Sequence, residues 1–178
     1  MTFRHVLALG LLVALPAMGA VERVGEASAK FSGKGPAGFK LEGKTRELSV
    51  KDDGQKVTFV VPLATLKTGI DLRDRHMREK YLQTDKYPEA VLVVPWSNIR
   101  LPENGQSVTQ TVTGQMTLHG KTQAVPVTYT VRKNGDVHQT TGKVPLNIKE
   151  FGIDIPSYLG VTVKPDIETE VAFDFKRK

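Results

Sequence analysis

Between residues 161 and 175 apolar and polar side chains take turns. Val161, Val163, Ile167, Val171, Phe173 and Phe175 fall on one side, and Thr162, Lys164, Asp166, Glu168, Glu170 and Asp174 on the other. Only an extended chain sorts residues into two faces with a period of two, and a face this apolar must be hidden from water while the other stays wet. The same alternation recurs upstream. Val57, Phe59, Val61 and Leu63 follow the turn signal Asp52-Asp53-Gly54; Val108, Val112, Met116 and Leu118 are interleaved with Thr109, Thr111, Thr113, Gln115 and Thr117; Val125, Val127, Tyr129 and Val131 come back after His119-Gly120. Asn134-Gly135, two residues that tolerate the positive φ of a tight hairpin, introduces a further strand over residues 137–148. Residues 90–99, rich in β-branched and aromatic side chains and carrying Trp96, read as a strand with Pro95 at an edge or bulge. The pattern predicts an all-β fold of about eight antiparallel strands, which bury their apolar faces either by closing into a barrel or by stacking as two sheets.

One stretch breaks the alternation. In residues 68–88, TGIDLRDRHMREKYLQTDKYP, Leu72, His76, Met77 and Tyr81 fall near one face at helical spacing, with Arg73, Asp74, Arg78, Glu79 and Lys80 mostly on the other. Asp71 stands where an N-cap would accept free backbone N–H groups, and Pro88 forbids continuation, so a short helix is expected over residues 71–81.

These residues carry a resemblance. Thr68-Gly69, Arg73-Asp74-Arg75-His76 and Tyr87-Pro88, then Leu118-His119-Gly120-Lys121-Thr122, then Lys149-Glu150-Phe151-Gly152-Ile153 occur in the order that marks the YceI-like family, which this chain resembles over about two thirds of its length. The resemblance implies a periplasmic or secreted lipocalin-like β-barrel that holds a long isoprenoid or other lipid-like chain, with the helix near the barrel mouth. Met77 and Tyr81-Leu82 depart from the family's usual Leu and Phe after the histidine.

At the start of the chain, Arg4 and His5 precede the apolar run VLALGLLVALPAMGA, which ends in the small residues Ala17, Gly19 and Ala20. That is the layout of a cleaved signal peptide over residues 1–20, leaving residues 21–178 as one domain in the periplasm. With no cysteine there is neither a lipoprotein anchor nor a disulfide. The net charge of +6 is spread thinly, and aromatic residues are not interleaved with basic ones, so nucleic acid is not an expected partner. A basic face suits transient contact with a membrane surface.

His76, His119 and His138 share no metal-ligand spacing, no G-x-S-x-G elbow is present, and nothing asks for a cofactor. No catalytic and no metal residue is assigned. Arg73 and His76 are placed to meet a polar headgroup at the mouth; alternatively Arg73 and Asp74 pair with neighbouring strand residues and pin the helix to the barrel. Phe59, Leu72, Met77, Tyr81, Leu92, Trp96, Phe151, Ile153 and Phe173 complete the candidate ligand-binding set, and in a solid sandwich the same residues would touch only each other. Each buried CH₂ contributes roughly 0.8 kcal/mol, so apolar walls alone can hold a chain of ten or so carbons. The reading is non-catalytic binding, storage or transport of a long-chain amphiphile, a hydrophobic small molecule such as an isoprenoid. Two alternatives stand beside it: a stress-response interaction module acting through its outer surface, and an enzyme using His76 on a lipid headgroup. A homodimer sharing a mouth and an isolated barrel read alike.

Overall fold

The computed structural model describes residues 21–158 and 161–177. The expected signal segment, residues 1–20, lies outside the described residues. Alternation becomes strand along most of the rest: β1 (Val21–Lys34), β2 (Lys40–Thr45), β3 (Ser49–Asp52), β4 (Lys56–Pro62), β5 (Glu89–Pro95), β6 (Ser107–Leu118), β7 (Lys121–Asn134), β8 (Val137–Asn147), β9 (Ser157–Tyr158), β10 (Val161–Thr162) and β11 (Asp166–Arg177). All but β9 and β10, which pair with each other, form one nine-stranded antiparallel sheet in the order β2-β1-β11-β8-β7-β6-β5-β4-β3.

The two edge strands, β2 and β3, are consecutive stretches of residues 40–52. The first pairs with β1, from Ala29↔Thr45 to Lys34↔Lys40, and the second with β4, from Ser49↔Val60 to Asp52↔Val57. One bent passage of chain therefore joins the two edges, and the sheet curls round on itself as a lipocalin-type barrel. At the corner the Val21 backbone N–H donates to the Asp52 carboxylate at 3.2 Å. Curling is how an antiparallel sheet hides one apolar face and at the same time shields its edges.

Inside and outside follow the letters. On β6 and β7, Val112, Met116, Leu118, Val125, Val127, Tyr129 and Val131 are buried. On the outer face the hydroxyl pairs Thr109–Thr130, Thr111–Thr128 and Thr117–Thr122 each hydrogen-bond at 2.8 Å across the ladder.

Several details differ from the sequence expectation. The run 161–175 is not one strand: Ile148 N–H donates to the Pro165 carbonyl and Lys164 N–H to the Lys34 carbonyl, so the chain before Asp166 belongs to the loop over the barrel end. Val161 accordingly lies in β10, off the main sheet and 37% exposed. Trp96 lies past the end of β5, in a single 3₁₀ turn over Trp96–Asn98 that follows Pro95. The tight turn with two positive φ angles is His119-Gly120, at 51° and 74°, while at the next hairpin only Gly135 is positive and Asn134 stays in the ladder opposite Val137. The helix α1 (Asp71–His76) continues as one π-helical turn over Met77–Tyr81. Its N-cap is Ile70, and Asp71 makes no capping bond.

The long connections, residues 35–39, 63–88 and 148–165, all meet at one end of the barrel, called here the upper end. The lower end has the short turn 53–55, the loop 96–106 and the turn 135–136.

Candidate functional site

The interior is hollow because several inward positions carry little side chain. Gly114 and Gly142 both face inward, but they differ. A Cβ at Gly114 would lie 2.8 Å from Leu92 Cδ1 and 3.0 Å from Val127 Cγ2, so neighbours already fill that space, whereas at Gly142 it would meet only Val171 Cγ2 at 3.1 Å. Together with Ala29 and Thr140, Gly142 leaves room for a cavity of about 850 Å³ whose walls are almost entirely aliphatic and aromatic. A cavity of this size is in the range that encloses a small-molecule ligand.

Aromatic packing narrows the lower end. Phe59 of β4 and Phe173 of β11 meet with ring centroids 5.5 Å apart, and Phe175 stacks on His138 at 4.7 Å. The Trp96 indole N–H donates to Asp52 at 2.7 Å, and the Arg177 guanidinium lies over the Trp96 ring at 4.6 Å. Burial, with the charges of Lys133 and Arg177, holds the His138 imidazole below its ordinary pKa against a hydrogen bond to the Phe175 backbone.

Most of the residues singled out from sequence converge on this space. Phe59, Leu92, Trp96, Ile153 and Phe173 line it from the barrel, and Leu72, Arg73, His76, Met77 and Tyr81 line it from α1 and the turn after it. Phe151 does not. It is 0% exposed, packed in the core with Met77, Leu118 and Ile153, and its carbonyl is bonded by His119. Leu72 belongs to the rim rather than the wall, with 44% of its surface exposed. The sequence reading passed over Ala29, Gly142, Phe39 and Ile70, all of which border the cavity. For Ala29 and Gly142 a signal existed: small residues at inward positions of otherwise bulky alternating strands mark where an interior is left empty.

Three turns tie the upper end together, and they are built from the sequence motifs. Asp74, 2% exposed, accepts hydrogen bonds from the Thr68 backbone N–H and from the Thr68 hydroxyl. Thr68 Oγ1 in turn accepts from Arg73 Nε at 2.8 Å, and the Thr68 carbonyl accepts from Arg73 Nη2 at 2.8 Å. Arg73 and Asp74 thus close on Thr68 just before the helix, not on strand residues. Burial pushes the Asp74 carboxyl up, but the Thr68 hydroxyl and amide and the charges of Lys67 and Arg78 outweigh it and hold the pKa below the ordinary value. Further round, the His119 ring packs against Tyr87 with centroids 4.4 Å apart, and its Nδ1 donates to the Phe151 carbonyl at 3.2 Å. Gly120 is required here twice over. Its φ is +74°, and a Cβ would lie 2.6 Å from the Tyr87 ring.

The charged groups that reach the cavity are few. Lys30 and Glu170 pair with each other at 3.1 Å, and Arg73, His76 and Lys80 come from the helical cap. Among the described residues no group of three His, Asp or Glu side chains could hold a metal ion, and none of the described helices is long and apolar enough to cross a membrane. What the lumen can do is enclose an extended apolar molecule, with the basic groups Arg73, His76 and Lys80 near its upper opening and only a few uncharged polar groups such as the Thr140 hydroxyl deeper in the wall.

Comparison with known proteins bears on this geometry. The profile of the YceI-like domain matches residues 22–176. A UPF0312 protein of Pseudomonas putida is 31% identical over 131 residues, covering 68% of this chain and 65% of that protein, so the chain spans a little under two thirds of the relative's length. Among solved structures, a polyisoprenoid binding domain from Saccharophagus degradans implicated in plant cell wall breakdown superposes with a TM-score of 0.72 at 13% identity, over 91% of this chain and 99% of that one. BcnA of Burkholderia cenocepacia superposes with a TM-score of 0.66 at 20% identity, over 83% and 95%. At these identities the superpositions show a shared fold.

Proposed function

This chain belongs to the YceI-like domain family, and from that premise we propose that it is a non-catalytic carrier: it binds, stores or moves a long-chain amphiphile of the isoprenoid class, with the chain inside the barrel and the polar end near the helical cap. The observation that carries the reading is the hollow interior of about 850 Å³ walled by apolar side chains. At roughly 0.8 kcal/mol per buried CH₂, a chain of ten or more carbons gains enough from such walls to outweigh the freedom it loses on binding. The polyisoprenoid-binding domain that shares the fold supports the ligand class. The signal-like N-terminus supports action in the periplasm, where a molecule of this kind needs a soluble escort.

No catalytic group is part of the proposal. The side chain best placed to act on a headgroup is His76, and its immediate neighbour Arg73 is already engaged by Thr68.

Native mass spectrometry of the protein purified from its own host's periplasm tests the proposal. A discrete additional mass, removed by organic extraction and identified as a long prenyl or alkyl chain, is the expected result. Protein that is always empty, including after incubation with a long-chain prenol, overturns it. N-terminal sequencing of the same sample reads the location: a mature chain starting near residue 21 in the osmotic-shock fraction is expected.

A further inference from the structure

One polar feature of the lumen lies far from its opening. On β8 the inward positions run from Leu146 and Val144 near the upper end, through Gly142, to Thr140 and His138 near the lower one, and all five are buried. Thr140 stands six positions along the strand from Leu146, about 20 Å of extended chain. Its neighbours in the sheet are Val131 and Phe173, which are 2% and 5% exposed. An aliphatic side chain is what such surroundings favour.

The Thr140 hydroxyl is buried and has no hydrogen-bond partner. Every other hydroxyl bordering the cavity among the described residues has one. Thr169 donates to the Val144 carbonyl at 2.8 Å, Tyr129 accepts the Arg100 N–H at 2.7 Å, and Thr68 accepts from Arg73. Tyr81 and Ser157 are bonded at the upper end, where the Tyr81 hydroxyl accepts the Ser157 N–H and the Ser157 hydroxyl accepts from Thr162. At the next inward position below Thr140, the Nδ1 of His138 is likewise buried without a partner, its ring stacked on Phe175 at 4.7 Å and 9°. Unpartnered polar atoms inside a fold are costly, and valine would fill the place of Thr140 at nearly the same shape without the cost. Nothing pins the threonine in one rotamer either. Methyl and hydroxyl share one Cβ, so a turn of about 120° about χ1 exchanges them at the cavity wall.

We infer that the floor of the lumen holds an uncharged oxygen of the guest, a hydroxyl or a carbonyl, hydrogen-bonded to Thr140. The guest is then polar at both ends: its head stays at the mouth, where Arg73, His76 and Lys80 border the cavity, and an oxygen at the far tip reaches the floor. A charged tip does not fit. Below the cap the only charged residues bordering the cavity, among those described, are Lys30 and Glu170, and they already pair with each other at 3.1 Å. This inference rests on the carrier reading and narrows its ligand to long-chain amphiphiles oxygenated at the far tip.

Calorimetric titration of the delipidated mature protein with hexadecanoic acid and with ω-hydroxyhexadecanoic acid tests it. The carboxylate of either probe stays at the mouth, because apolar walls reject a bare charge, and only the second probe carries an oxygen at its tip. Wild type should bind the hydroxy acid at least as tightly as the plain acid, although water holds the added hydroxyl back. Thr140→Val should weaken the hydroxy acid about tenfold, the worth of one hydrogen bond, and leave the plain acid unchanged or tighter. Thr140→Ser keeps the hydroxyl and should keep the wild-type preference. Without any guest, Thr140→Val should melt no lower than wild type, since it removes an unpartnered polar group. A hydroxy acid bound alike by wild type and Thr140→Val overturns the inference, and so does a guest-free Thr140→Val protein that melts several degrees lower, which assigns the hydroxyl to the fold. Plain acid bound with the hydroxy acid rejected removes the polar floor and leaves the carrier reading standing. Neither acid bound, with native mass spectra showing empty protein, removes the carrier reading and this inference with it.

Discussion

In the cap over the upper end, particular atoms answer one another. Asp74 receives the Thr68 amide and hydroxyl, Arg73 closes on the same threonine, and His119 stands between the Tyr87 ring and the Phe151 carbonyl with Gly120 at φ +74° beside it. Along the wall nothing is so particular. Val112, Met116, Val127, Val131, Val144 and Leu146 need only be apolar, point inward and stop short of the middle. The contrast teaches where stability and binding are kept. The cap resists change because each group there leaves a buried polar partner or a clash behind when altered, while the wall tolerates change in shape but translates it directly into the space left for a guest.

Substitutions can break or sharpen that division. The largest loss of stability is expected at Gly120→Val, which forces a β-branched residue into positive φ and into the Tyr87 ring; about 2–4 kcal/mol should be lost in urea unfolding. Next comes Asp74→Ala, which takes the acceptor away from both the Thr68 amide and the Thr68 hydroxyl and should cost about 1–3 kcal/mol. Its pH dependence has a definite sign. Because the native Asp74 pKa is lowered, its contribution is complete above the ordinary value of 3.8 and is lost as the pH falls through the lowered native one, so the gap between wild type and variant should shrink in acid. Urea midpoints measured from neutral pH down to the acid limit of folding would show this, and a gap that widens on acidification contradicts it.

Wall substitutions that grow into the void should behave differently. Ala29→Leu and Val144→Phe both point into the cavity, so each should change stability by less than about 1 kcal/mol, where the same added bulk in a filled core costs about 1–3 kcal/mol. The smallest effect belongs on the outside of the wall. Thr111→Val with Thr128→Val removes a hydroxyl pair at 2.8 Å on an exposed face and should shift stability by no more than about 0.5 kcal/mol. A Thr pair that proves as costly as Asp74 would erase the distinction between cap and wall.

The same division explains how much could be read from the sequence. The wall is a period-two pattern, and period two needs no partner to be seen, so the strands and their inward faces were legible from residues such as Val125, Val127, Tyr129 and Val131. The exceptions have local causes: Pro95 ended β5 before Trp96, and the loop bonds of Lys164 and of Ile148 to Pro165 pulled Val161 off the sheet. The cap was legible as motifs but not as roles. Asp71 and Asp74 are the same letter three positions apart, and only the fold shows that the second, buried, receives Thr68. Phe151 and Ile153 are both apolar and two residues apart, yet one is packed wholly within the core and the other lines the lumen. The rim residues Phe39 and Ile70 escaped notice because an exposed hydrophobic side chain has no periodicity to announce it.

That the interior carries a guest, rather than merely failing to fill, is tested most directly by titrating a fluorescent long-chain polyene alcohol into delipidated wild type and into the Ala29→Leu/Val144→Phe double variant, with the melting curve of each recorded in parallel. One-to-one saturable binding by the wild type, and its loss in a variant that melts within a few degrees of it, is the predicted result. A variant that binds the probe as tightly as the wild type would contradict the account, because the probe would then be held somewhere other than the hollow of the barrel.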